Sequence, residues 1–183
     1  MGADLEGALG FGVLATGSGT ESLGLLGAQA RLRVAFVQVA GFAERSQAAV
    51  DSVATYGGVA GFWLSPTDLP DFDLGLGLSR RTYAHDTPGG ALGDYALSTP
   101  AVVARLAVSD RAFGRVGPRL GARLSLSWDT RRHERRFEYE VSRATPAATP
   151  TSDSTLVQRS RHVGGVSVVL SLTIALDVTA AAP

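Results

Sequence analysis

The segment VSVVLSLTIALDV, residues 166–178, alternates with a period of two along its whole length. Val166, Val168, Leu170, Leu172, Ile174, Leu176 and Val178 fall on one face; Ser167, Val169, Ser171, Thr173, Ala175 and Asp177 fall on the other. Successive side chains of a strand point to opposite sides, so the pattern predicts a β-strand with one unbroken aliphatic face and one small, largely polar face. The run exceeds the usual globular strand of about five or six residues and is long enough for a tilted membrane crossing.

The same alternation recurs along the chain. Leu120, Ala122, Leu124, Leu126 and Trp128 oppose Gly121, Arg123, Ser125, Ser127 and Asp129. Leu26, Ala28, Ala30, Leu32, Val34 and Phe36 oppose Gly27, Gln29, Arg31, Arg33 and Ala35. Phe137, Tyr139 and Val141 oppose Arg136, Glu138, Glu140 and Ser142, and Phe72, Leu74, Leu76 and Leu78 oppose Asp73, Gly75, Gly77 and Ser79. Residues 5–13 and, more weakly, 102–109 behave alike. An eighth strand is expected within 48–66, where the phase breaks near Gly57 and Gly58; a bulge there would exchange the faces, and two short strands around a glycine turn are the alternative. Residues 16–22, 41–47, 65–70 and 110–118 read as loops or turns. Two connections are longer, 84–100 and the Ala/Thr/Pro/Ser tract 144–155.

Which face points outward separates a soluble barrel from a membrane one. A soluble barrel turns a face rich in Lys, Glu, Asp, Gln and Asn to water. Here the non-aliphatic face is mainly Gly, Ser and Ala with isolated charges, suited to the interior of a narrow barrel of about eight strands. The chain has no lysine, so all 17 basic residues are arginine, balancing 17 acidic ones. That balance gives no general reason to expect nucleic acid as a partner. Arg31, Arg33, Arg105, Arg123 and Arg136 all share the face opposite the aliphatic one, as the cost of arginine against lipid requires. Arg80 is the exception, at the end of its strand, where it could reach lipid headgroups. The expected fold is a single all-β domain over 1–183, a closed antiparallel up-and-down transmembrane barrel of eight strands, and a monomer.

With these features the chain resembles the small eight-stranded outer-membrane proteins of Gram-negative bacteria, the OmpA-, OmpX- and OmpW-like barrels. The resemblance is one of strand pattern over nearly the whole chain. It implies an outer-membrane location; the residues add the expectation of a lipid partner, lipopolysaccharide among the candidates, and of no enzymatic activity. Such barrels usually finish their last strand on an aromatic residue, whereas this one runs through Leu176, Asp177 and Val178. MGADLEGALG has neither a basic n-region nor an apolar h-region, so the sequence is expected to be a mature form. With the N-terminus in the periplasm, eight strands would place 84–100 on the side of short turns, a conflict that a miscounted strand or an extra one through Ala91–Leu97 would relieve.

Charges inside a closed barrel must pair. Arg31, Arg33, Arg105, Arg123 and Arg136 are therefore expected to form a lumen network with Glu6, Asp51, Asp73, Asp129, Glu138, Glu140 and Asp177. Such a network would close the lumen, leaving a structural or surface-interaction role; a narrow channel for small or apolar solutes and a soluble lipocalin-like barrel are the alternatives. No cysteine is present, His85, His133 and His162 lack ligand spacing, and no HExxH occurs, so neither metal nor cofactor is expected. Ser160 beside His162 has no catalytic specificity. RRHERR, residues 131–136, reads as a solvated basic turn that could meet headgroup phosphates.

Overall fold

A computed structural model describes residues 2–48, 51–66, 69–85, 95–112, 117–143 and 153–178. Its strands are β1 (Gly2–Thr16), β2 (Gly19–Val34), β3 (Val37–Gln47), β4 (Ser52–Leu64), β5 (Asp71–His85), β6 (Tyr95–Arg111), β7 (Arg119–Asp129), β8 (His133–Arg143), β9 (Asp153–Val163) and β10 (Gly165–Asp177). Eight of them close an antiparallel barrel in the order β1-β10-β7-β6-β5-β4-β3-β2, while β8 and β9 pair only with each other.

The strand count matches expectation through two compensating differences. Residues 41–47, expected as a loop, belong to β3, which pairs with β2 and β4 in the barrel wall. The segment holding Arg136, Glu138 and Glu140 leaves the wall and forms one strand of the β8–β9 ribbon. Alternation identifies a two-faced strand, but a ribbon has two faces as well. The glycine pair in β4 causes no bulge: register against both neighbours runs unbroken through Gly57 and Gly58, and burial alternates in constant phase. Two glycines simply break the apolar pattern without breaking the strand.

Closure fixes the tilt of the strands. Following paired residues round the wall from Asp4 leads through Arg31, Ala40, Val59, Gly77, Val103, Ser127 and Ser167 to Leu14, ten residues further along β1. A stagger of this size in an eight-stranded barrel tilts the strands strongly and leaves an interior only wide enough for packed side chains.

The order of the strands fixes which connections share an end of the barrel. Gly2, Val34, Val37, Leu64, Asp71, Arg111, Arg119 and Asp177 lie at one end, the termini end; Thr16, Gly19, Gln47, Ser52, His85, Tyr95, Asp129 and Gly165 lie at the other, the loop end, from which the ribbon also departs. The long segments therefore gather at a single end, as in outer-membrane barrels, and the conflict over 84–100 disappears. The Ala91–Leu97 strand alternative and the tract 144–155 fall largely outside the described residues.

The outer wall is aliphatic. Leu9, Leu26, Leu76, Leu78, Leu106, Leu126 and Leu172 are exposed, with Leu172 74% accessible. In water this band would be a severe liability; against acyl chains it is the expected surface. At the termini end Phe36, Phe62 and Phe72 are exposed, and Phe36 stacks on Phe62 with ring centroids 6.2 Å apart. These aromatics mark one edge of the apolar band.

Candidate functional site

Charges fill the middle of the barrel because the inward faces of six of its strands each supply one or two. Alternation turns Asp4 and Glu6 of β1, Gln29, Arg31 and Arg33 of β2, Glu44 of β3, Asp73 of β5, Arg105 of β6 and Arg123 of β7 toward the axis. Arg31 donates to Glu6 on its neighbour β1 and to Asp73 across the lumen, with Asp4 3.2 Å from its Nε. Arg33 lies 3.1 Å from Asp4 and 3.6 Å from Asp73, its guanidinium over the Trp63 ring at 4.6 Å.

Arg105 donates to Gln29 (2.6 Å) and Glu44 (2.5 Å), with its guanidinium carbon 3.5 Å from the Phe42 ring centroid. Arg123 donates to Glu6 (2.8 Å), Gln29 (3.3 Å) and Glu44 (2.9 Å). Four arginines thus meet Asp4, Glu6, Glu44 and Asp73, a neutral set, and every one of these side chains is at most 8% exposed. Forked guanidiniums suit this task, since each can satisfy two acceptors on different strands. A void of only about 20 Å³ remains among Glu6, Gln29, Arg31, Gln38, Asp73, Arg105 and Arg123.

Two further clusters flank this centre. At the termini end Arg119 donates to Asp71 (3.0 Å) and to Asp177, which also accepts from Arg111 (2.8 Å). Arg111, Arg119 and Asp177 border an open vestibule of about 660 Å³ with Arg33 and Trp63. Toward the loop end lies Asp129. It accepts from Tyr83 Oη (2.5 Å), from Arg81 (3.4 Å) and from the Gly165 amide (2.7 Å). Beside it Leu14, Leu23, Leu25, Val53, Tyr83 and Val163 form a buried apolar cluster. Val163 belongs to the ribbon, so the ribbon's base is packed into the mouth of the barrel. Its neighbour Gly164 has φ +95°, a turn a side chain would resist, and His162 N–H donates to Ser18 Oγ (2.7 Å).

Of the residues expected in the lumen, Arg31, Arg33, Arg105 and Arg123 meet in the central network, while Asp129 and Asp177 anchor the two flanking clusters. Arg136, Glu138 and Glu140 lie on β8, outside the barrel wall, and their side chains fall outside the described residues. Asp4, Glu44, Arg81, Tyr83 and Arg119 were not anticipated. Glu44 sits in the segment read as a loop, and the others lie just beyond the strand limits drawn from the apolar pattern. Ser160 and His162 stand on β9, opposite Arg136 and Glu134. Among the described residues no group of three or more His, Asp or Glu could hold a metal ion.

No protein-family model and no curated protein matches the chain. Among solved structures it is similar to Neisserial surface protein A, at 14% identity and a TM-score of 0.68, over 95% of this chain and 96% of that one. It also aligns with the β-domain of the Bordetella autotransporter BrkA (8% identity, TM-score 0.40, 98% of this chain and 100% of that one). A third alignment is to the translocator domain of the autotransporter NalP from Neisseria meningitidis (10%, 0.31, 96% and 88%). At those scores the last two carry no structural argument. The first establishes the fold: this chain has the architecture of a small outer-membrane β-barrel, with an exterior made for lipid.

Proposed function

We propose that this barrel is a non-conducting protein of the bacterial outer membrane, its lumen held shut by the arginine–carboxylate network and its activity carried by the loop end. The observation that supports this reading is the central cluster itself. Arg105 and Arg123 reach Gln29 and Glu44 from the far side of the wall, leaving a void of about 20 Å³, room for about one water. An ion path would have to displace four buried guanidiniums from their carboxylates, each separation leaving a charge unpaired at low dielectric.

The ribbon gives the loop end its surface. Strands β8 and β9 pair over eleven residues beyond the rim, and the base is tied down by Val163, Gly165 and His162. A two-stranded ribbon is marginal alone, so anchoring its root presents it at a defined place rather than leaving it loose. Adhesion or capture of a partner at the cell surface fits that arrangement better than transport or catalysis.

Planar-bilayer recording tests the closed lumen. Wild-type protein should insert without resolvable single-channel steps, while the variant Arg105→Ala/Arg123→Ala should give steps or a flickering leak. Stable ohmic conductance in the wild type would replace this reading with the narrow channel.

A further inference from the structure

The outer wall carries very few charges. Among the described residues of the barrel strands, those facing outward are Arg45 on β3, Arg80 on β5 and Asp110 on β6. Asp110 lies at the termini end; both arginines lie toward the loop end, with β4 alone between them. Neither arginine makes an ion pair among the described residues.

Their placement is closer than the sequence suggests. Arg45 pairs across to Ala54, which pairs with Thr82, two residues beyond Arg80. The stagger of the barrel lowers the level by about 2.5 residues over two strands, which brings Arg80 level with Arg45. Their backbones are about 12 Å apart, a span two arginine side chains can close from both sides. Tyr56 of β4 stands between them, 53% exposed and paired in register with Arg80. Arg80 is already oriented: its Nε donates to Ser98 Oγ (2.9 Å), which also bonds Thr82 Oγ1 (2.9 Å), and its two terminal nitrogens have no acceptor among the described residues.

A second feature lies directly beneath. Below Arg45 and Tyr56 the outward positions are Ala43, Gly41, Gly58 and Ala60, a smooth trough walled by Leu76 and Leu78 of β5. Gly41 and Ala43 also border a shallow external groove of about 670 Å³ that continues across β2 and β1. Cations above and a smooth apolar channel below form the profile of one amphiphile.

We propose that Arg45, Tyr56 and Arg80 bind the phosphate of a lipid headgroup in the outer leaflet, with an acyl chain of the same molecule lying in the trough. Two forked guanidiniums match a phosphate's oxygens, and among the described residues no outward carboxylate lies near them, which leaves that demand for a ligand to meet. The assignment rests on the membrane-barrel reading and concerns one patch of its exterior.

Native mass spectrometry of the protein in a neutral detergent tests it. Dilauroyl phosphatidic acid should be retained at least tenfold better than dilauroyl phosphatidylcholine, and the variant Arg45→Gln/Arg80→Gln should lose that preference, whereas Asp110→Asn should keep it. Equal retention of the two lipids by the wild type, or undiminished preference in the double variant, overturns the proposal. Competition by millimolar inorganic phosphate also overturns it, since the site would then read free phosphate and not a lipid. Heat-modifiable gel migration of each sample reports folding separately; its loss in the wild type would sink the membrane reading itself.

Discussion

Arg123 and Glu44 face each other from β7 and β3, strands diametrically opposed in the barrel, and Arg123 Nη2 lies 2.9 Å from Glu44 Oε1. No backbone hydrogen bond connects these strands, so the pair braces the wall across its width. Because Arg105 also donates to Glu44, the carboxylate holds two guanidiniums at once.

Removing that carboxylate leaves both guanidiniums buried with one acceptor fewer. Glu44→Ala should lower unfolding stability by about 3–5 kcal/mol, the range for breaking a buried pair from one side. In a cycle with Arg123→Ala the double variant should lose less than the sum of the two single losses, because the second change removes a charge that the first had orphaned. Urea titration of the refolded protein in vesicles reads both.

Arginine placed in the apolar band should report its depth. Leu76 lies on the outer face of β5 midway between Phe72 and Arg80. Leu76→Arg should cost about 2–4 kcal/mol and Ser98→Arg, beside Arg80, about 0–1 kcal/mol. Equal costs in the same vesicle titration would mean the band has been drawn at the wrong height.

Asp129 links the lumen to the ribbon. Asp129→Ala should release the Tyr83 hydroxyl and the Gly165 amide together, so hydrogen exchange at Gly165 should rise by an order of magnitude or more while exchange in mid-β2 stays unchanged. Tyr83→Phe removes one of these bonds and should cost about 1.5–3 kcal/mol, as for a hydrogen bond to a charged group, with exchange at Gly165 little altered.

Close approach of β4 and β5 makes Gly77 intolerant of a side chain. A Cβ there would fall on the Gly58 carbonyl oxygen, whereas one at Gly24 would meet nothing within 4 Å. Gly77→Ala should destabilise by about 1–3 kcal/mol through overpacking and Gly24→Ala should be close to neutral, with folded yields in vesicles ranking the two accordingly.

Much of this was legible from alternation, and its failures have a common cause. β10, β7 and β2 announce themselves because apolar and polar faces differ sharply. β3 does not: its outward face is Val37, Val39, Gly41, Ala43, Arg45 and Gln47, and its inward face includes Ala40 and Phe42. A lumen that packs a phenyl ring under a guanidinium removes the contrast on which the reading depends. β8 misleads in the opposite way, since Phe137, Tyr139 and Val141 alternate cleanly in a strand that never joins the wall. Arg81 and Tyr83 were lost at a strand end, because β5 continues inward polarity past Arg80, where the outer face has already turned polar. The network's partners therefore followed from topology, which sets diametric neighbours, and periodicity alone cannot.

The seam between β1 and β10 joins residues as far apart in sequence as Asp4 and Asp177. Contacts of that range form late, because the loop they close is nearly the whole chain. Glu6 can hold Arg31 as soon as β1 and β2 pair, but it meets Arg123 only from across the closed seam. A slip of one residue at that seam would turn Glu6 toward lipid and Leu5 toward the lumen. The ion pair thus acts as a registration mark for assembly: a cylinder closed out of step leaves arginine without its acid, and only the aligned one is electrically quiet.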